Sequence, residues 1–298
     1  MLSWRLLLGV VIVAALLLLC WLDYAAPLPG VWLYPLVLLI AVLGAGEMAR
    51  LVQTRAPRPL SAVIYFGTLA PVVLCAVPMF LLEDPARCAL GWWGWPMLGL
   101  ALGVLLAFLA EMRFYTGPGA VIERLAKSAL AFSYLGLLLS FVVQLRMLGD
   151  GPLGLLALIS MIAVVKMSDV GAYTVGRLVG RHKLAPKISP GKTWEGVAGG
   201  VGFALLGSYL VFFEFAPRLN LWTTNAAPAW GWVVYALLLA LAGLIGDLAE
   251  SLLKRDAGVK DSSSWMPGLG GVFDLIDSIL AGAPVAYVCW SAGLVGPL

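Results

Sequence analysis

Apolar runs of about twenty residues recur from one end of this chain of 298 residues to the other, and that feature narrows its folds more than any other. A helix needs about 20 residues to cross ~30 Å of hydrocarbon. Inside hydrocarbon each backbone polar group must find its partner within the structure, which a helix provides and an open strand does not. The runs fall near 5–22, 31–49, 60–82, 92–110, 128–148, 152–172, 196–215, 230–249 and 272–291. Hydrophobic residues make up 62% of the chain and charged residues 12%, against roughly 25% charged in soluble domains, and the mean hydropathy is +0.98. A water-soluble core could not absorb that much apolar surface. The expected architecture is therefore all-α, a polytopic integral membrane protein with about nine transmembrane helices.

The first run follows Arg5 and has Tyr24, Ala25 and Ala26 near its end, marks shared with cleaved signal sequences. Its unbroken apolar stretch, 6–22, exceeds a signal core of about 7–15 residues, so a retained helix is expected. Orientation follows from the basic residues between spans. With the N-terminus in the cytoplasm, all but four of the 19 Lys and Arg lie on the inner side. Arg87, Arg146 and Arg218 lie outside and Lys166 falls within a span. The net charge of +3 thus reports orientation and calls for no nucleic-acid partner. Cys20, Cys75, Cys88 and Cys289 show neither CxxC spacing nor a paired framework and are expected to be buried thiols. With no repeat, low-complexity tract or soluble domain, the chain reads as one membrane-embedded unit, with N-terminal helices over 1–150 and a catalytic region over 151–298.

Polar chemistry begins near residue 166, in KMSDVGAYTVGRLVGRHKLAPKISPGKTWEGVAGG. Lys166, Ser168 and Asp169 stand inside or at the end of the sixth span. Ionisable groups there cost about 2.5–3.5 kcal/mol on insertion scales, so they face a cavity or a partner; Lys166 and Asp169, three apart, can also neutralise each other. The stretch Ser189–Thr193, SPGKT, invites comparison with a phosphate-binding P-loop, but Pro186 stands where that motif needs glycine, and no preceding strand is expected. Arg177, Arg181, Lys183, Lys187 and Lys192, beside hydroxyls and a glycine turn, suit phosphate recognition and equally suit a loop touching lipid headgroups. His182, the one histidine, is expected to be a solvated loop residue.

Toward the C-terminus, Asp247, Glu250, Ser251 and Lys254 share one helical face at the end of the eighth span. Beyond the serines of 262–264, expected as a flexible turn, Gly268, Gly270 and Gly271 permit close backbone approach, and the ninth span opens with Asp274 and Asp277, one turn apart. Asp247, Asp274 and Asp277 can converge on a divalent cation, with Asp261 and Asp169 as further candidates. Ser251, Lys254, Arg255 and Lys260 can then supply donors to phosphate oxygens. Magnesium fits this set, because it takes one or two protein carboxylates and completes its shell with water and phosphate; a second cation stays open. The absence of His and Cys clusters argues against zinc. An interhelical salt-bridge network with Lys254 and Arg255 is the alternative.

These residues closely resemble the phosphatidate cytidylyltransferase (CDP-diacylglycerol synthase) family. Ser251, Lys254, Arg255, Lys260, Asp261, Pro267, Gly268, Gly270, Gly271, Asp274 and Asp277 occur in the order and spacing of that family's C-terminal hallmark. Asp169 to Tyr173, Gly176, Arg177 and Ser189 to Gly196 look like its second conserved region. The motifs cover 166–278; the first 150 residues agree only as multi-span sequence. Leu269 stands where the family usually has His, Leu275 where it has Arg, and Met266 where Leu, Ile or Phe is usual. The resemblance implies transfer of a cytidylyl group from CTP to phosphatidate, giving CDP-diacylglycerol and pyrophosphate for phospholipid synthesis. Taken with the residue chemistry above, it points to Asp247, Ser251, Lys254 and Asp277 as catalytic residues, Asp247, Asp274 and Asp277 on the metal, and Arg177, Ser189, Lys192, Thr193, Arg255, Lys260 and Asp261 on substrate. It further implies a polar cavity open to the cytoplasm in the cell membrane, a lateral opening for the lipid, and a homodimer. Leu269 and Leu275 leave open an inactive relative or another lipid phosphate as acceptor. From another class, a cation-coupled transporter would also use intramembrane Asp and Lys, although its binding groups would concentrate near the midplane.

Overall fold

The computed structural model describes residues 2–80, 90–149, 151–218, 228–263 and 270–296. Of the positions singled out above, Arg87, Cys88, Ser264, Met266, Pro267, Gly268 and Leu269 lie outside the described residues. Helices dominate: α1 (Leu2–Ala25), α2 (Leu33–Gln53), α3 (Ser61–Leu74), α4 (Ala76–Phe80), α5 (Gly91–Arg113), α6 (Val121–Ala131), α7 (Leu138–Arg146) and α8 (Gly151–Val179). A two-stranded hairpin follows, β1 (Lys183–Ala185) and β2 (Ser189–Thr193), then α9 (Trp194–Tyr209), α10 (Ala216–Arg218), α11 (Gly231–Ala257) and α12 (Val272–Ser291). π-helical turns at Phe132–Leu137 and Leu210–Phe215 join α6 to α7 and α9 to α10.

Among the described residues nine helical stretches are long and apolar enough to cross a membrane, and they fall where the hydropathy places them. Large apolar side chains such as Val10, Leu17, Trp21, Leu105, Leu109 and Val288 are exposed along them. That is the pattern of helices with hydrocarbon for solvent, and the chain is a multi-pass membrane protein. Cys20, Cys75 and Cys289 are buried.

The chain forms two compact units. One holds Met1–Ala26, Gly30–Gln144 and Ala257–Leu275; the other holds Pro27–Pro29, Leu145–Asp256 and Ile276–Leu298. The units divide near residue 145, and 257–275 belongs with the first. In that unit Met48, Ile64, Phe132 and Leu135 are fully buried. Asp23, also buried, accepts backbone N–H bonds from Gly30 at 3.0 Å and Trp32 at 3.0 Å, fixing the turn that opens α2.

In the second unit α8 packs closely along α9, with glycines at the contact. A Cβ at Gly171 would stand 2.6 Å from the carbonyl oxygen of Gly199, and one at Gly199 would stand 2.8 Å from that of Gly171. Small residues that let backbones approach are the usual means of helix association where apolar burial gives no advantage over lipid. Deeper in the unit the Ser160 hydroxyl meets the Tyr235 hydroxyl at 2.8 Å and accepts from Trp290 Nε1 at 3.2 Å, tying α8, α11 and α12 together.

The hairpin differs from the basic loop read in the sequence. Lys183 pairs with Thr193 and Ala185 with Ser189, antiparallel, and Ile188 N donates to Ala185 O at 3.2 Å. A strand thus does precede SPGKT, and SPGKT is itself the second strand. In a P-loop the corresponding residues would form the loop between strand and helix.

Candidate functional site

The end of α8, the hairpin, the start of α9 and the middle of α11 line a cleft of ≈ 540 Å³, within the range of small-ligand sites. Its polar wall carries Ser168, Asp169, Tyr173, Arg177, Ser189, Lys192, Thr193 and Asp247. Its other wall is apolar, with Val197 and Val201 from α9 and Leu237, Leu241 and Leu244 from α11. Leu237 and Leu241 are also exposed on the surface of α11, so the apolar wall continues to the outside of the helix.

Each polar residue has a local reason for its place. Arg177 belongs to α8 rather than to the loop, one turn beyond Tyr173; its Nη1 donates to the Tyr173 hydroxyl at 2.7 Å and its guanidinium lies 5.9 Å from that ring's centre. Thr193 is buried, and its Oγ1 accepts from Gly196 N at 3.1 Å as the N-cap of α9; it aligns β2 with α9 as well as lining the cleft. Glu195 in the first turn of α9 accepts from Arg181 N at 3.1 Å and meets His182 Nδ1 at 2.5 Å. His182 stays largely exposed, at 78% for its side chain. Lys192 extends across to α11, where its ammonium lies 2.6 Å from Asp247 Oδ2.

Asp247 also belongs to a second cluster. One carboxylate oxygen from each of Asp247, Glu250 and Asp277 lies within 4.8 Å of the others, and Glu250 and Asp277 are buried. The approach of α11 to α12 makes this possible: a Cβ at Gly246 would stand 2.5 Å from the carbonyl oxygen of Asp277. Three carboxylates so close repel unless a proton or cation intervenes. Lysines stand at the margin. Lys254 lies 2.6 Å from Glu250 Oε2; Lys166 lies 3.1 Å from Asp169 Oδ2 and donates to Ser278 Oγ at 2.9 Å. Ser278 donates its hydroxyl to Asp169 at 2.9 Å and its amide to Asp277 Oδ1 at 2.6 Å.

The structure therefore brings Asp247, Asp277, Lys254, Lys192, Arg177, Ser189 and Thr193 into the two features that share Asp247. Ser251 follows Glu250 on α11, half-buried. Arg255 is turned to the hairpin, its Nε donating to Ile188 O at 3.3 Å. Lys260 and Asp261 are exposed and belong to the first unit. Asp274 differs most from the sequence reading. Instead of sharing the surroundings of Asp277, its Oδ2 accepts from Ser262 N at 3.0 Å, Ser262 Oγ at 2.6 Å and Gly271 N at 2.7 Å. Glu250 takes the third place in the carboxylate group; the helical offset already put it on the face of Asp247.

The sequence is similar to those of known proteins. Residues 3–292 match the model of the cytidylyltransferase family. The chain belongs to that family. Among curated members, the phosphatidate cytidylyltransferase of Pseudomonas aeruginosa is 33% identical over 268 residues, covering 87% of this chain and 88% of that protein. The one from Haemophilus influenzae is 37% identical over 199 residues, covering 66% of this chain and 64% of that protein. The one from Brucella suis is 44% identical over 141 residues, covering 47% and 48%. In the last two the match spans less than two thirds of the relative's own length.

Proposed function

We propose that the protein transfers the cytidylyl group of CTP to phosphatidate. The observation that carries this reading is Asp247: one side chain belongs both to a cleft with a cationic polar wall and an apolar wall, and to a group of three carboxylates. A phosphate group at the polar wall meets Lys192, whose ammonium has three donors with Asp247 as one partner, and Arg177, whose guanidinium has five. Acyl chains can lie along Val201, Leu237 and Leu241, and the exposure of the last two supports entry sideways from the bilayer.

Three carboxylate oxygens are hard donors of the kind magnesium takes, so the residues present fit that ion, with Asp247, Glu250 and Asp277 to hold it. Bound there, magnesium would neutralise charge on the nucleotide's phosphates. In the reaction an oxygen of the phosphatidate phosphate attacks the α-phosphorus of CTP; that P–O bond forms, the bond to the bridging oxygen of the β-phosphate breaks, and pyrophosphate leaves. A phosphate monoester is already anionic near neutral pH, so no general base is needed. What remains is positioning and charge neutralisation, the work assigned to Lys192, Arg177 and Lys254. Placement in the cell membrane with the cleft open to the cytoplasm is supported by the bias of basic residues, and a homodimer by the family resemblance.

The test is formation of CDP-diacylglycerol and an equal amount of pyrophosphate from CTP and phosphatidate by purified protein with magnesium. Turnover that requires both substrates supports the reading. No product, together with cation-driven solute flux across liposomes, would replace it with the transporter reading.

A further inference from the structure

A buried glutamate far from the motifs holds the start of α12. Glu47, on α2, is 4% exposed. Its carboxylate accepts from Val272 N at 3.0 Å and Phe273 N at 2.9 Å, the first two residues of α12, and from Ser262 Oγ at 2.9 Å. The Ser262 hydroxyl is also 2.6 Å from Asp274 Oδ2, so it bridges the two carboxylates.

The sequence makes an outside cap necessary. α12 is preceded by Gly270 and Gly271, which have no side chain to cap it; Gly270 sits at φ +83°. A Cβ at Gly271 would run into Ser262 Oγ and the Glu47 carboxylate. Glu47 thus supplies from α2 the acceptor that a Ser, Thr or Asp would normally supply at the N-cap. A carboxylate there is further favoured by the helix dipole, and charge-assisted bonds to N–H groups are stronger and more directional than neutral ones.

We infer that Glu47 is a positioning residue: by capping α12 it fixes the first turn of the helix from which Asp277, five residues on, projects. This inference rests on the proposed function for its catalytic readout. A purely structural anchor would lower stability and leave the folded enzyme's metal requirement unchanged.

The experiment compares wild type with Glu47→Gln, in which an NH₂ donor replaces one acceptor at nearly the same shape. Expected are faster amide exchange in the peptide spanning 270–276, a kcat about 10–100-fold lower, as for residues that orient metal ligands, and a raised magnesium half-saturation, with KM for phosphatidate unchanged. Wild-type kcat and magnesium half-saturation would overturn the inference, as would unchanged exchange at 270–276. Should E47Q fail to fold, Ser262→Ala removes the bridging hydroxyl while keeping both carboxylates and is read by the same three measurements. An inactive wild type would count against the proposed function alone. Mn²⁺ affinity then decides the inference: weaker binding in E47Q supports it and unchanged binding overturns it.

Discussion

Asp274 and Asp277 stand one helical turn apart at the start of α12, and on paper they are interchangeable. Their surroundings are not. Asp274 is met by two backbone N–H groups and a hydroxyl, from Ser262 and Gly271. Asp277, one turn on, accepts the amide of Ser278 and lies among like charges, with Asp247 and Glu250. A carboxylate with several donors is a finished structural element, because its charge is already compensated. One that shares a buried site with two other carboxylates is poised for a cation. The same side chain serves as a clasp in one place and, on the proposed function, as a ligand in the other, and the difference lies in the donors that the neighbouring backbone offers.

The contrast can be broken by substitution, and the largest effect is expected at Asp277. Asp277→Asn removes one ligand and should lower kcat by about 10³-fold or more, the equivalent of several kcal/mol of lost charge stabilisation. It should leave thermal stability unchanged or higher, because three mutually repelling charges become two; pyrophosphate release and a melting curve on the same preparation check both. Lys192→Met comes next, with a loss of about 10²-fold in kcat, typical of a cation or donor aimed at developing charge, read from kinetics at saturating CTP. Asp274→Asn should cost less activity, about tenfold, and more stability, about 1–3 kcal/mol for donors left short of an acceptor; denaturant unfolding in detergent measures it. If instead D274N is as inactive as D277N and as stable as wild type, the contrast fails. The smallest effect is expected at the apolar wall, where Leu241→Glu should raise KM for phosphatidate several-fold and leave KM for CTP near wild type.

Much of this was legible in the sequence, for identifiable reasons. Hydrocarbon imposes a length and a composition on each span, so the nine helical stretches were readable from hydropathy alone. Helical offsets placed Asp247, Glu250 and Lys254 on one face, and the structure keeps them there. Spacing also put Asp274 with Asp277, and it could not say otherwise, because the donors that claim Asp274 come from Ser262 and Gly271, in a stretch of sequence with no periodic pattern. Glu47 was passed over inside the second span. The signal was present, since an isolated acid in an apolar stretch has to have a partner, but its partners are backbone amides more than two hundred residues away. The hairpin was missed because its strands have three and five residues, contain Pro190 and Gly191, and show no alternation.

The most direct measurement of the central claim is binding of Mn²⁺, a magnesium surrogate visible by electron paramagnetic resonance, to purified wild type, D277N and D274N in detergent. The account predicts binding by wild type, loss of that binding in D277N, and retention in D274N with affinity weakened by no more than about tenfold. Undiminished binding by D277N, or loss in D274N to the same extent, would contradict it.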